Sequence, residues 1–414
     1  MILPVTLLCA AQFLVVLDVT IVAVALPAIR DSLAMSPENL QWVVSAYTLT
    51  FGGLLIAAGR LGDLLGRRRL FTAGLVTFGA ASLACALAPS APALVAARAV
   101  QGAGAAMEAP AALALVSTTA TDRRRAVSWW TATAAAGGAS GWVLGGVLVE
   151  AFGWPAVFVV NVPLCAIGAL LAPRLLRESR GTGRGLDVPG TLTVTAGLAL
   201  LVLGFTQLPA ALPVAALLLA AFVAIERRVE DPILPDWALR RPGFLRANAV
   251  ALVLVATTTP AMFLAILYQQ EELGRSALEA GLWCVPFNLA VIGGSMLRPP
   301  HAMATGLAAI GAGAAALLTF TPAALIVSFL LMGAGLGCAS VASTASGTAA
   351  LPDSEQGIAS GVLNAAAQIG SAVGVAALVP LGARGGFAMT AMLALAAATG
   401  SMRTSRRRPT TLHR

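Results

Sequence analysis

The stretch VPGTLTVTAGLALLVLGFTQLPAALPVAALLLAAFVAI occupies residues 188–225 and contains no Asp, Glu, Lys or Arg. A helix needs about 20 apolar residues to cross the hydrocarbon core of a membrane, so this stretch is long enough for two crossings. Pro209 and Pro213 mark the division between them. Because backbone groups in lipid must be paired within the protein, we expect helices here rather than loops.

The rest of the chain has the same character. Of its 414 residues, 58% are hydrophobic and 11% are charged, whereas a soluble domain carries about 25% charged residues. Further charge-free runs cover residues 126–149, 151–173, 302–352 and 356–383. A membrane β-barrel would instead show short segments of alternating polarity. We therefore predict an all-α integral membrane protein.

The charged islands between the apolar runs divide the chain into predicted spans. Twelve spans is the alternative to fourteen, because span eight is short and spans eleven and twelve are divided only at Pro322. The run before residue 30 has no basic segment ahead of it and is interpreted as a retained first span. The fourteen spans cover approximately residues 3–29, 40–59, 70–88, 92–119, 127–149, 154–172, 188–208, 211–225, 247–268, 279–297, 303–320, 322–350, 356–382 and 385–402.

The placement of arginine favours fourteen spans. Cytoplasmic loops of membrane proteins carry an excess of basic residues. With the N-terminus in the cytoplasm, inside loops and the C-terminal tail hold 22 of the 26 arginines, outside loops hold Arg30, Arg275 and Arg384, and Arg98 lies within a span. An error in the count would disturb this alternation. We predict a multi-pass protein of the cell membrane with both termini cytoplasmic, and the same pattern argues against nucleic-acid binding.

Two polar islands, at residues 174–187 and 226–246, bracket spans seven and eight. This arrangement predicts two six-helix halves with an inserted pair between them, and such halves suggest a repeat around a central cavity. A monomer in the lipid bilayer is expected. The predicted units are an N-terminal half at 1–173, a linker with two additional spans at 174–246, a C-terminal half at 247–402 and a basic cytoplasmic tail at 403–414.

Polar side chains inside the spans are the first candidates for function, because a charge in the membrane is costly. Span one contains Asp18, and span four contains Arg98, Gln101 and Glu108. On a helix, Gln101 and Glu108 lie within ~20° of each other, and Arg98 lies within ~80° of both. This polar stripe must face a cavity or another polar helix. The alternative is that Asp18 and Arg98 are structural groups satisfied by their neighbours.

The loop after span two reads GRLGDLLGRRR from Gly59 to Arg69. Its glycines, including Gly66, permit a tight turn. Asp63 can pair with an arginine such as Arg67, and the basic run anchors the loop at the cytoplasmic face. The alternative is an ordinary basic loop.

Two further spans carry regular patterns. In span five, Gly137, Gly141 and Gly145 recur every fourth residue, with Gly146 beside them, which favours close contact with another helix. In span thirteen, Asn364 and Gln368 are one turn apart, and these amides either line a path or bridge helices.

Together these segments resemble the major facilitator superfamily, specifically its fourteen-span drug/proton antiporter branch. Residues 59–69 are similar to the family's loop motif, and residues 98–104 to its span-four motif for proton coupling. Residues 137–146 are similar to its antiporter motif, except that Trp142 stands where proline is usual. Asp18 belongs to a segment similar to the span-one motif.

The resemblance implies proton-driven efflux of small hydrophobic drugs or antibiotics by alternating access. The partners would be protons and a small-molecule substrate, with the proton-motive force as energy source and no cofactor or metal. The implied roles are proton coupling for Asp18, Arg98 and Gln101; substrate cavity for Glu108, Asn364 and Gln368; a conformational latch for Gly59, Asp63, Gly66 and Arg67; and helix packing for Gly137, Gly141, Gly145 and Gly146.

Two rivals remain. The first is a proton-coupled importer of a small metabolite on the same fold. The second is a membrane-embedded enzyme or receptor, which the sequence supports less, because no nucleophile or metal-ligand cluster lies near a span end. ATP-driven transport is disfavoured because no phosphate-binding loop of the Gly-x4-Gly-Lys-Ser/Thr type is present. A second departure from the family pattern is the short loop between spans ten and eleven, at residues 298–301.

Overall fold

A computed structural model describes residues 2–119, 123–179, 188–206, 208–229, 240–348 and 353–406. Within these ranges the regular structure is entirely helical, with no strand. The all-helical class predicted from the apolar runs is therefore confirmed. Most of the predicted basic tail, and the linker segments at 180–187 and 230–239, lie outside the described residues.

The helices are numbered here in chain order. A π-helical turn, Tyr268–Glu272, continues α11, and a 3-10 turn, Val379–Leu381, joins α16 to α17. The helices are α1 Ile2–Leu33, α2 Pro37–Leu40, α3 Trp42–Leu65, α4 Arg67–Ala86, α5 Ala91–Thr119, α6 Arg123–Phe152, α7 Ala156–Val159, α8 Asn161–Leu175, α9 Val188–Thr206, α10 Ala211–Glu226, α11 Pro242–Leu267, α12 Ala277–Trp283, α13 Val285–Met296, α14 Ala302–Leu317, α15 Pro322–Thr348, α16 Asp353–Leu378 and α17 Gly382–Arg406.

Every predicted span coincides with one helix or with two consecutive helices. Among the described residues, nine helical stretches are long and apolar enough to cross a membrane. Helices α10 and α14 have 16 residues each and are shorter than that. The multi-pass, helical character is thus confirmed, whereas the count of fourteen stays a prediction with twelve as its alternative.

Local sequence explains where helices break. Span ten divides into α12 and α13 at Cys284, because Pro286 in the first turn of α13 lacks the N–H that a continuous helix needs. Helix α12 begins with a capping box, in which the Ser276 hydroxyl accepts from the Glu279 N–H and the Glu279 carboxylate accepts from the Ser276 N–H. The short loop before α14 places His301 at a φ of 56°, a left-handed conformation.

Helices α1, α3 to α6 and α8 pack against one another, as do α11 to α17. Helix α10 packs on α9, and α9 in turn contacts both α3 and α16. One apolar cluster joins α3, α9 and α16. It is formed by Leu49, Leu198, Val202, Ala372 and Ala376. The inserted pair therefore covers the line where α3 of the first helix group meets α16 of the second.

The two ends of the bundle differ in their charged residues. Arg30, Glu150 and Glu271 lie at one end, called here the Arg30 end. Asp63, the arginines that begin α4, and Glu178 lie at the other, called here the Arg68 end.

Candidate functional site

The predicted proton-coupling residues meet in one buried cluster between α1, α4, α5 and α8. Asp18 is 0% exposed and Arg98 is 1% exposed. Arg98 Nη1 donates to Asp18 Oδ2 at 2.5 Å, and Gln101 Nε2 donates to Asp18 Oδ1 at 2.8 Å. Asn161 Nδ2 donates to the same Oδ1 atom at 2.9 Å. Three donors therefore surround one carboxylate.

The remaining donors of the cluster are also satisfied. Arg98 Nε donates to the Val43 carbonyl at 2.8 Å and Arg98 Nη1 to Gln101 Oε1 at 2.6 Å. The guanidinium carbon lies 4.4 Å from the ring centroid of Tyr47, a distance at which a cation is attracted to an aromatic face. Gln101 Nε2 also donates to Ser82 Oγ at 2.8 Å. The network is buried, and among the described residues Asn161 Oδ1 is its one side-chain oxygen without a hydrogen-bond partner.

Close approach of α5 to α3 makes this geometry possible. A Cβ at Gly102 would lie 2.3 Å from the Tyr47 carbonyl oxygen, so only glycine fits there. Thr50 Oγ1 donates across the same contact to the Ala99 carbonyl at 2.9 Å. The span-four motif thus supplies both the polar side chains and the glycine that brings them within reach of α3.

The glycines of span five line a seam with α1. A Cβ at Gly137 would lie 2.7 Å from the Phe13 carbonyl oxygen, and one at Gly141 would lie 1.8 Å from Thr20 Oγ1. Gly145 meets Ile21 in the same way, with its Cβ position 3.0 Å from the carbonyl oxygen. This seam runs along the part of α1 that carries Asp18, so α6 supports the helix holding the central carboxylate.

A neighbouring face of α6, about 100° round the helix, contacts α12. A Cβ at Gly146 would lie 2.5 Å from Leu278 Cα, and one at Gly281 would lie 2.2 Å from the Trp142 carbonyl oxygen. The Trp142 side chain is 5% exposed. Trp142 is therefore a buried residue of α6, and among the described residues its indole Nε1 has no hydrogen-bond partner.

Glu108 departs from the expectation that it lines an open cavity. Its side chain is 1% exposed, and Gly74 of α4 lets α5 approach so closely that the Glu108 N atom lies 2.7 Å from the Cβ position of residue 74. The helical wheel placed it correctly on the face of Gln101. That face packs against other helices of the first group rather than against a cavity in this structure.

The two amides of span thirteen have different surroundings. Gln368 is half-buried and packs against Gly52 of α3, where a Cβ would lie 2.8 Å from Gln368 Cβ. Asn364 is exposed one turn earlier. Gln368 therefore lies at the contact between α3 and α16, and the assignment of both amides to a substrate cavity stays a prediction.

The loop between α3 and α4 forms a compact cluster at the Arg68 end. Arg67 Nε donates to Asp63 Oδ1 at 2.9 Å, and Gly66 adopts a φ of 111° at the turn. The Arg68 N–H donates to Glu178 Oε1 at 3.0 Å, and the Arg67 N–H donates to the Ser179 carbonyl at 2.9 Å. The predicted latch residues thus tie this turn to the chain after α8. Gly59 lies one turn earlier in α3, where it faces Pro110 of α5.

Contacts between the two helix groups are dense at the Arg30 end. Arg30 forms an ion pair with Glu271 of the π-helical turn. Gln270 Nε2 donates to the Val24 carbonyl at 3.1 Å, and the Leu278 N–H donates to Glu150 Oε1 at 3.1 Å. These bonds join α1 and α6 to the π-helical turn after α11 and to α12.

Sequence reasoning missed three participants in these clusters. Asn161 and Ser82 are uncharged, so they do not stand out within apolar spans as Asp18 does. Glu178 was one acidic residue in a polar island. An amide near the start of a predicted span was the available signal for Asn161, but the fold was needed to place it beside Asp18.

Chemically, the central cluster holds the carboxyl group of Asp18 against a guanidinium and two amides. Charge-assisted bonds of this kind are stronger than neutral ones. Protonation of Asp18 would remove the negative charge that holds Arg98, and would convert one acceptor oxygen into a donor. The cluster therefore has two electrostatically distinct forms that differ by one proton.

Comparison with known proteins agrees with this geometry. The profile of the Major Facilitator Superfamily matches residues 8–375. The chain is 39% identical to the cephamycin export protein CmcT of Amycolatopsis lactamdurans, over 90% of this chain and 83% of that protein. It is 38% identical to the puromycin resistance protein pur8 of Streptomyces alboniger, over 89% and 79% of the two chains.

Solved structures show the same fold at low sequence identity. The human organic anion transporter MFSD10 superposes with a TM-score of 0.69 at 16% identity, covering 96% of this chain and 98% of its own. An auto-inhibited POT family peptide transporter gives a TM-score of 0.72 at 15% identity, covering 99% and 98%. A profile match over most of the chain, together with relatives of this identity and coverage, establishes that the chain belongs to the Major Facilitator Superfamily of membrane transporters.

Proposed function

We propose that the chain exports small hydrophobic antibiotics in exchange for protons, by alternating access between two six-helix halves. The match covers about four fifths of the length of two relatives, which are named for cephamycin export and puromycin resistance. Their names support efflux of such compounds. The observation that carries proton coupling is the buried Asp18 carboxylate with its three donors from Arg98, Gln101 and Asn161.

The proposed cycle uses the two forms of this cluster. With the N-terminus in the cytoplasm, as the arginine distribution predicts, the Arg30 end faces outward. The contacts between Arg30 and Glu271, and between Glu150 and Leu278, then close the outer side, leaving Asp18 ionised and paired. We infer that cargo opens the outer side, that Asp18 takes up a proton from outside and frees Arg98, and that the protonated protein then returns to the outward-closed packing, where it releases the proton to the cytoplasm.

The two helix seams suit such a motion. Where glycines of α6 contact α1 and α12, no side chain of those glycines projects between the helix backbones. Because packed helices have discrete arrangements, small changes at one seam can be amplified into movement of a half. The turn of Asp63, Gly66 and Arg67, held by Glu178, keeps α3, α4 and α8 together as one body during that movement.

Transport in inside-out membrane vesicles tests this proposal. Puromycin and a cephamycin serve as probes, and an imposed proton gradient, acid inside the vesicle, supplies the driving force. We expect gradient-dependent accumulation of at least one probe inside the vesicles, abolished by Asp18→Asn and kept by the matched control Glu272→Gln, which changes an exposed carboxylate. Accumulation only in right-side-out vesicles, driven by an acid exterior, would instead establish a proton-coupled importer. Gradient-driven accumulation unchanged by Asp18→Asn would refute the role of the cluster.

A further inference from the structure

Glu108 is a second buried carboxylate with surroundings opposite to those of Asp18. Its side chain is 1% exposed, and neither Oε1 nor Oε2 lies within hydrogen-bonding distance of a donor among the described residues. Asp18, by contrast, accepts from Arg98, Gln101 and Asn161. Two buried acids of the same helix group therefore differ in their surroundings: Asp18 has three hydrogen-bond donors, and Glu108 has none among the described residues.

Among the side chains that the structure describes, the helices around Glu108 bring no cation to it. Tyr47 on α3 and Cys165 on α8 are the titratable side chains that interact with it electrostatically, and both are neutral groups. Helix α4 presents Gly74 at this level. On its own helix, Arg98 is committed to Asp18, more than two turns away.

The arginines of the neighbouring helices are engaged elsewhere. Arg67 pairs with Asp63, and both Arg68 and Arg69 approach Glu178, all at the Arg68 end of α4. Arg174, near the end of α8, donates to the carbonyl of Leu170. None of these described arginines therefore compensates the Glu108 carboxylate.

Physical chemistry then assigns the protonation states. Burying an ionised carboxylate without a partner costs several kcal/mol even after relaxation of the surroundings, so such a group takes up a proton instead. A carboxylate with three donors, one of them a guanidinium, is stabilised in its ionised form. The surroundings of Glu108 therefore favour its protonated form in this conformation.

We propose that Glu108 is a second proton-carrying residue of the transport cycle, in addition to Asp18. This inference builds on the proposed antiport. Glu108 lies on the same face of α5 as Gln101 and about 10 Å farther along the helix axis, at 1.5 Å per residue. When repacking of α4 and α5 admits water from the cytoplasmic side, the Glu108 carboxyl loses its proton to that water, and it takes up a proton from the outer side before the cycle returns to this conformation.

This assignment makes Glu108 different from a residue that recognises cargo. Its oxygens are inaccessible while the Arg30 end is closed, so a cationic molecule has no access to them in this conformation. A proton needs only a transient chain of water molecules to reach these oxygens. The substitution Glu108→Gln imitates the protonated form in shape and charge, and Glu108→Met gives an apolar side chain of similar length.

The test uses the full-length protein in liposomes and two measurements. Infrared difference spectroscopy records the carbonyl stretch of a protonated carboxylic acid as the pH is raised or puromycin is added. We expect a band that is present in wild type, Asp18→Asn and Glu272→Gln but absent in Glu108→Gln and Glu108→Met. We also expect this band to decrease when puromycin is added, because cargo binding and proton release alternate.

The second measurement counts protons released per puromycin taken up. Loss of one of two carriers should lower this ratio to about half in Glu108→Gln, with Glu272→Gln as the unchanged control. Absence of the band in wild type would overturn the protonation assignment. A band that never changes, with a normal proton count in Glu108→Gln, would make Glu108 a structural acid. Loss of cationic probes alone, at a normal proton count, would make it a cargo residue, and either result overturns the inference.

Failure of the proposed antiport would look different. If wild type moves puromycin without protons, the antiport proposal fails whatever the infrared spectrum shows. If wild type and Glu272→Gln couple protons normally and only the Glu108 readouts fail to change, the inference about Glu108 fails alone.

Discussion

Removing the charge of Arg98 while keeping its bulk should destabilise the protein strongly. In Arg98→Met the Asp18 carboxylate keeps its bonds from Gln101 and Asn161 but loses the guanidinium at 2.5 Å. Breaking a buried ion pair by removing one partner costs about 3–5 kcal/mol, because an uncompensated charge is left in a medium of low polarity. Loss of the cation over the Tyr47 ring adds about 1–2 kcal/mol for a desolvated site.

The double variant separates the charge effect from packing. In Asp18→Asn with Arg98→Met, no unpaired carboxylate remains, so we expect the double variant to be more stable than Arg98→Met alone. Residues in direct contact show coupling energies of about 0.5–3 kcal/mol, and a fully buried pair should lie at the upper end. The order of stability expected is wild type, then the double variant, then Arg98→Met.

Reversible unfolding by sodium dodecyl sulfate in mixed micelles measures these differences, with fluorescence of the seven tryptophans as the signal. Each single variant and the double variant are compared with wild type in one thermodynamic cycle. A loss below about 1 kcal/mol in Arg98→Met, or a double variant less stable than Arg98→Met, would refute the claim that the ion pair organises this cluster.

Three further predictions concern packing and the ends of the bundle. Gly102→Ala should cost at least about 1–3 kcal/mol in the same unfolding assay, because its methyl group meets the backbone of α3, whereas Gly293→Ala, with nothing within 4 Å, should be neutral or slightly stabilising; equal stability of the two would contradict the close approach of α3 and α5. Glu271→Gln removes a partly exposed ion pair with Arg30, worth about 0.2–1 kcal/mol, so spin-label distances across the Arg30 end should show a modestly larger open population, and an unchanged distribution would exclude this pair from closure. Glu178→Ala deprives two N–H groups of their acceptor and two arginine side chains of an ion-pair partner, so amide hydrogen exchange should accelerate at the turn between α3 and α4, and unchanged exchange there would show that other contacts hold it.

Much of the fold could be predicted from the sequence, because lipid imposes a simple rule on the backbone. Every long apolar run had to be a helix, and prolines and charged islands marked its ends, as at the start of α15 with Pro322. The break at Cys284 within span ten and the π-helical turn after α11 were not predicted. Both depend on how a continuous apolar segment meets neighbouring helices, which hydropathy does not encode.

The site was predictable residue by residue but not as an arrangement. Asp18, Arg98 and Gln101 were conspicuous because polar groups in a membrane are costly, and the structure brings all three together. The helical wheel put Glu108 on their face, yet it could not say which helix lies opposite that face. Gly74 decides this, because its missing side chain brings α4 against Glu108.

The central claim is that the buried cluster around Asp18 couples cargo movement to protons, and one comparison in proteoliposomes tests it most directly. Puromycin exchange at equal concentrations, without a gradient, reports the conformational cycle, whereas accumulation against an imposed proton gradient reports coupling. The account predicts that Asp18→Asn loses gradient-driven accumulation but retains exchange, because the amide keeps the shape of the cluster while it cannot cycle a proton. Proton-driven accumulation by Asp18→Asn at the wild-type rate would contradict the account.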